Sequence, residues 1–197
     1  KNTYLKNNCL SDATRNFVHL LFRKYNLLII DANHKDLKKS FRDFLKKEVK
    51  DSSIKKSSLS TLKKLEKLDY KVQAHTRDVN LFYIEKNERK RIIKKKNHFL
   101  IEGSKNKLEQ KNIVDSIENN PEKFSPNVLF RTIYQEYLLP NLCYIGGPAE
   151  IAYWLQLKKS FESFKITFPI LLNRNSILLI SSREIKKLKK LNIDIED

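Results

Sequence analysis

The sequence predicts an α/β fold organised around an open, doubly wound sheet. Three observations carry this reading. Short, unbroken apolar runs such as Leu27–Ile30 and Leu142–Ile145 have the length and composition of buried parallel strands. Each ends at residues suited to a sheet edge, Asp31 in the first case and Gly146-Gly147 in the second. Amphipathic helix patterns flank these runs through short joints, and residues 142–172 close strand, helix and strand into one crossover that is right-handed by rule.

Each element can be justified in turn. Ser11-Asp12 caps a helix running to about Tyr25, with Phe17, Leu20, Leu21 and Phe22 as its apolar stripe. Strand Leu27–Ile30 follows, then a helix from about His34 to Val49 with Leu37, Phe41, Phe44 and Leu45 on one face. Lys50–Lys67 is rich in Lys and Ser, with apolar residues at Ile54, Leu59, Leu62 and Leu65, and reads as an exposed helix or helical linker. Asn80–Ile84 and Arg91–Ile93 flank Glu85–Glu88 as the arms of a hairpin, and His98–Ile101 ahead of Gly103 reads as a third strand. A helix over Leu108–Ile117 stops at Asn119-Asn120-Pro121. Asn127 caps a helix to about Leu139, which Pro140-Asn141 breaks. Strand Leu142–Ile145, a helix from Pro148 to about Phe164, strands Phe168–Leu172 and Ile177–Ile180 and a helix from about Arg183 complete the chain. Residues 1–50 and 121–197 are thus expected to form the core, and 51–120 a connecting insertion with a small antiparallel β and helical part.

Composition narrows the function classes. The 197 residues suffice for one core plus an insertion, and no apolar run approaches the roughly 20 residues of a membrane span. No positively charged start leads into an apolar segment, so neither a secretory signal nor a membrane partner is expected. Cys9 and Cys143 are far apart without Cys-x-x-Cys spacing, which suits a reducing cytoplasm. The chain has no methionine, even at position 1, and is expected to be an internal fragment. The net charge of +17 raises one alternative, a basic non-catalytic nucleic-acid-binding module. Against it, 31 of the 40 basic residues are lysine, scattered over solvent-facing helix positions, whereas arginine dominates base and phosphate forks.

The candidate site lies where this crossover turns from its first strand into its helix. A strand that turns through Gly146-Gly147 straight into a helix exposes backbone N–H groups at the helix's positive end, which suits a phosphate or carboxylate. Gly147, Pro148 and Glu150 fit the N-cap, N1 and N3 positions, so Glu150 either caps its own helix or faces a ligand in the same cleft. Arg131, one turn into a mostly apolar helix with Gln135 four residues on, either receives an anion or pairs with Glu136 or Glu150. Tyr153 and Trp154 continue an apolar face and fit the core as well as a site. Arg174-Asn175-Ser176 follows a buried-looking strand, at the edge where doubly wound sheets bind ligands. The four histidines show no metal-ligand spacing to cysteines or carboxylates, so no metal is expected.

These residues fall into blocks that resemble a known family. The first is Ser-Pro-Asn-Val-x-x-Arg-x-x-x-Gln-Glu-x-x-Leu-Pro, here Ser125–Pro140. The second is Tyr-x-Gly-Gly-x-x-Glu-x-Ala-Tyr-Trp-x-Gln-Leu-Lys, here Tyr144–Lys158. Thr14-Arg15, Ile29-Ile30-Asp31, Arg77–Tyr83, Phe168-Pro169 and Arg174-Asn175-Ser176 agree as well. Together they resemble BshC, the cysteine-adding enzymes of bacillithiol biosynthesis. The resemblance implies a Rossmann-like core, with its N-terminal half ahead of this chain and a coiled-coil region after it. It implies a ligase that joins the carboxyl group of cysteine to the amine of glucosaminyl-malate, with ATP as cosubstrate, and a cytoplasmic homodimer at full length. Because the candidate residues cluster at predicted strand ends, Glu150 and Arg131 are expected to be catalytic. Substrate or anion binding is expected of Asn127, Gln135, Tyr144, Gly146, Gly147, Tyr153, Arg174, Asn175 and Ser176. A fragment alone is expected to be inactive.

Overall fold

The computed structural model describes residues 2–86 and 88–193. The chain opens with α1 (Asn2–Leu5) and α2 (Leu10–Phe22), the latter continued by a 3-10 turn at Arg23–Tyr25. Then come α3 (Lys35–Ser40), α4 (Arg42–Asp51) and α5 (Ser53–Glu66). Strands β1 (Leu81–Glu85), β2 (Glu88–Lys94) and β3 (Phe99–Ile101) lead to α6 (Gln110–Asn119), β4 (Phe124–Pro126) and α7 (Val128–Leu138). The last stretch is β5 (Cys143–Gly146), α8 (Pro148–Gln156), α9 (Lys158–Phe164), β6 (Ile170–Asn173) and α10 (Ser182–Lys190).

Two sheets result. The expected hairpin and third strand form an antiparallel sheet in the order β3-β2-β1-β4. Its fourth strand, β4, is only three residues long and ends in Pro126, too short and too polar to announce itself by alternation. The crossover forms, with β5 and β6 parallel, Tyr144 opposite Leu171 and Ile145 opposite Leu172, but the single helix expected from Pro148 to about Phe164 is two, α8 and α9, divided at Leu157, whose N–H bonds to Trp154 O. Tyr144 and Leu171 pack on the core, while Ile145, Ile170 and Leu172 are exposed on the other face.

Other expectations are corrected. Leu27–Ile30 and Ile177–Ile180 are not strands. Continuous apolar character favours burial, but a strand needs a ladder neighbour, and among the described residues neither run has one; Leu27, Leu28 and Ile177–Leu179 are exposed. The single helix expected from His34 to Val49 is two, divided at Phe41, whose N–H bonds to Lys38 and Lys39 carbonyls. Cys9, not Ser11, caps α2. The segment read as an exposed helix is half-buried as α5, because Ile54 and Ser58 are fully covered and Ser57 Oγ meets Ser160 Oγ of α9 at 2.8 Å.

The core explains how the site is held. Phe41 stacks on Phe44 at 4.8 Å between ring centres and lies 4.7 Å from Tyr134 and 5.3 Å from Phe130, which joins α3/α4 to α7. Glu48 is fully buried and accepts from Ile54 N, Asn80 N and Asn80 Nδ2 at 2.8–3.0 Å, so one carboxylate ties α4 to the start of α5 and to the entry of β1. Trp154, 1% exposed, stacks on Tyr144 at 4.0 Å and fixes α8 against β5.

Candidate functional site

The turn from β5 into α8 is built by two glycines with different duties. A Cβ on Gly146 would stand 2.6 Å from Tyr144 Cε1, so the Tyr144 ring can lie across the turn only because Gly146 has no side chain. A Cβ on Gly147 would come within 3.2 Å of the Arg174 guanidinium. Arg174 is brought there by its backbone, since its N–H donates to Gly146 O at 2.9 Å as β6 ends. Gly147 is the N-cap of α8 and Pro148 its first residue, where the missing N–H is no loss.

Glu150 joins these parts. Its Oε2 accepts the Gly147 N–H at 2.8 Å, its Oε1 accepts the Tyr144 hydroxyl at 3.2 Å, and Arg174 stands 3.9 Å from Oε2. Glu150 therefore caps its own helix, and the anion at this helix start is the chain's own carboxylate. The Gly147 N–H chiefly holds the Glu150 carboxyl below the usual carboxylate range; Tyr144, Arg174 and Arg131 add to this, and burial opposes it. Burial, and then the Glu150 charge, push the Tyr144 phenol up to about 12. At neutral pH the pair is an ionised acceptor beside a protonated donor, at the C-terminal edge of a parallel strand pair.

The other residues singled out by sequence divide. Arg131 is exposed, and among the described residues it pairs with neither Glu136 nor Glu150, although its charge is felt at Glu150 and Tyr144. Glu136 is instead buried and accepts from Asn141 N, Asn141 Nδ2 and Gln135 Nε2, which ties Gln135 to the helix end. Asn127 caps α7 by accepting from Leu129 N and Phe130 N and donates to Asn80 Oδ1, so its polar atoms are engaged within the fold. Tyr153 is buried in the core. Asn175 and Ser176 are exposed just past β6, beside Arg174 in sequence.

Arg131 also lines a cleft of about 440 Å³ with Asp31, Lys38, Arg89 and Tyr134. Sequence reasoning missed Lys38 and Arg89, which look like two more solvated cations in a basic chain. A signal for Lys38 does exist: it lies three residues before Phe41 and seven before Leu45, on the stripe that turns inward. Among the described residues no group of three or more His, Cys, Asp or Glu could hold a metal ion, and no helix is long and apolar enough to cross a membrane.

Comparison with known proteins adds a family. A family model described as "Bacillithiol biosynthesis BshC, N-terminal Rossmann-like domain" matches residues 1–175. This agrees with the mixed α/β, Rossmann-like class expected from sequence. A protein named "Putative cysteine ligase BshC" from Flavobacterium johnsoniae is 46% identical over 197 residues, covering 100% of this chain and 37% of that one. One of the same name from Christiangramia forsetii is 42% identical over 194 residues, covering 98% and 36%. Another, from Staphylococcus aureus, is 32% identical over 188 residues, covering 94% and 35%. The chain thus spans little more than a third of the length of these relatives.

Proposed function

The chain belongs to the BshC family, and from that premise we propose that it is part of a cysteine ligase joining the carboxyl group of cysteine to the amine of glucosaminyl-malate. The observation that carries the reading is the Glu150 carboxylate, kept ionised by Gly147 N–H and flanked by the Tyr144 hydroxyl and Arg174 at one strand edge. Amide formation needs an acceptor for the amine's proton and cations for the anionic groups of the substrates. Glu150 is the proposed proton acceptor. Arg174 and Arg131 are the proposed contacts for carboxylate or phosphate, because their planar forks match those groups. Tyr144, protonated at neutral pH, donates its one hydroxyl proton to Glu150 and so orients that carboxylate; Asn175 and Ser176 extend the same edge.

Joining a carboxylate to an amine expels one carboxylate oxygen, and ATP is the proposed acceptor of that oxygen. The reaction is assigned to the cytoplasm, in keeping with two free cysteines, and the full-length protein to a homodimer. The test supplies glucosaminyl-malate, cysteine and ATP to the open reading frame that carries these residues and follows bacillithiol by thiol labelling and mass spectrometry. Product formation that falls roughly 10²–10⁴-fold in Glu150→Gln is expected for a general base. Absence of both product and substrate binding would sink the reading.

A further inference from the structure

The cleft beside α7 holds two cations, Lys38 and Arg89, for which the ligase reading has no use. Lys38 is 2% exposed, and among the described residues no carboxylate pairs with it. Its ammonium donates to Phe124 O and lies 5.5 Å from the centre of the Tyr134 ring. Arg89 lies over Phe82, 4.4 Å from the ring centre, and donates to Pro126 O at 3.1 Å. Both carbonyls belong to β4. Asn127 N donates to Asn80 O on the β1 side, so the alternation of an antiparallel ladder turns Phe124 O and Pro126 O away from β1. The two cations therefore cap the outer edge of the sheet.

Capping uses one donor of each, whereas a lysine has three and an arginine five. Arg131 adds a third cation from α7, exposed and without a partner among the described residues. Asp31 is the one carboxylate among the described residues of the lining, and its oxygens accept from Asn33 N at 2.9 Å and Ser11 Oγ at 3.1 Å. Three cations around one carboxylate repel one another when nothing lies between them. In accord with this geometry, burial first and Arg89 second bring the Lys38 amine down to about 8.

We infer that this cleft binds a compact oxyanion carrying at least two negative charges, held by Lys38 and Arg89, which β4 fixes in advance, and by Arg131. A phosphate group and a pair of neighbouring carboxylates share that chemistry. The inference stands on the cleft's charges and not on the ligase reading. The experiment is titration calorimetry on the full-length protein that carries this cleft, with inorganic pyrophosphate in one arm and succinate in the other. Arg131→Gln, at an exposed position, and Arg89→Gln are each expected to weaken binding roughly tenfold or more, the worth of one charge-assisted hydrogen bond. Binding of pyrophosphate alone assigns a phosphate source, binding of succinate alone assigns carboxylates, and either result supports the site. Should neither probe bind at millimolar concentration, or should binding be unchanged in Arg131→Gln, the inference is overturned. No turnover is read, so failure here is distinct from failure of the ligase assay.

Discussion

Replacing Gly146 with alanine is expected to destabilise the protein, whereas the same change at Gly147 is expected to be close to neutral. Neither site is strained by its backbone: Gly147 has φ −68°, and among the described glycines only Gly103 has a positive φ. The difference is contact. At Gly146 the new methyl would stand 2.6 Å from Tyr144 Cε1 and 3.3 Å from Glu150 Cβ. The Tyr144 ring cannot step aside freely, because it is stacked at 4.0 Å on the buried Trp154. If the ring stays, overpacking costs about 1–3 kcal/mol. If it swings out, it forfeits a hydrogen bond to a carboxylate, about 1.5–3 kcal/mol, and an aromatic contact, about 0.5–1.5 kcal/mol. Reduced freedom of the unfolded chain returns about 0.4–1 kcal/mol at either position. The net for Gly146→Ala is about 1–2 kcal/mol, whichever route is cheaper.

At Gly147 the methyl meets only the far end of the exposed Arg174 side chain, which can move, so the net stays within about 0.5 kcal/mol. Trp154 is the only tryptophan of the chain, so its emission during urea unfolding reports on this stack directly. With a slope of about 2 kcal/mol per molar, Gly146→Ala should lower the urea midpoint by roughly 0.5–1 M and shift the folded-state emission. Equal midpoints for Gly146→Ala and the parent, or greater damage from Gly147→Ala, would refute the reasoning.

Three further outcomes are expected. Glu48→Ala strands three buried donors, Ile54 N, Asn80 N and Asn80 Nδ2, at about 1–3 kcal/mol each, and circular dichroism should find the chain largely unfolded. Asn127→Ala should lower the urea midpoint by an amount equivalent to about 1–2 kcal/mol without any ligand present, since its oxygen caps α7. Two of the perturbed carboxyls, Glu150 and Glu48, should pull the pH profile of stability in opposite directions. Glu150, held low by Gly147 N–H, contributes stability above the ordinary carboxylate range that is lost as pH falls through its depressed value; Glu150→Gln should remove that acid limb. Burial raises Glu48, so its contribution is full at low pH and declines as pH rises from the ordinary carboxylate value through the raised one. Urea midpoints measured across pH check the first sign as the difference between the parent and Glu150→Gln, and the second as a decline of the Glu150→Gln midpoint when pH rises above the ordinary carboxylate range.

The elements that were legible in the sequence are those whose cause is local. The hairpin of β1 and β2 and the β5–α8–α9–β6 crossover follow from apolar patterning, turn residues, Pro148 at N1 and an N3 carboxylate, all within a few residues. The Gly146-Gly147 turn with Tyr144 and Glu150 was legible for the same reason, and Arg174 followed from the parallel pairing of β5 with β6. Leu27–Ile30 and Ile177–Ile180 were misread because an apolar run states a preference for burial and says nothing about which strand is there to pair with it. The break at Phe41 was hidden because the stripe of Leu37, Phe41, Phe44 and Leu45 stays in phase across both short helices. Lys38 and Arg89 were hidden because their partners, the Phe124 and Pro126 carbonyls, are 86 and 37 residues away. Asn127 was read both as a helix cap and as a binding residue, and the cap is what the structure shows.

The bare face of the β5–β6 pair has a topological consequence. Its helices lie between the strands in one crossover and cover only the side of Tyr144 and Leu171, leaving Ile145, Ile170 and Leu172 open. Among the described residues the two strands pair only with each other, so any additional parallel strand must join at one of their outer margins. Because crossovers keep one hand, a helix can land on the bare side only when its connection travels across the sheet in the reverse direction. Such a reversal separates the loops at the carboxyl ends of adjacent strands and opens a crevice there. Gly146-Gly147 and Arg174 stand at those carboxyl ends. Completing the sheet and hollowing out the place where Glu150 waits are therefore a single architectural event.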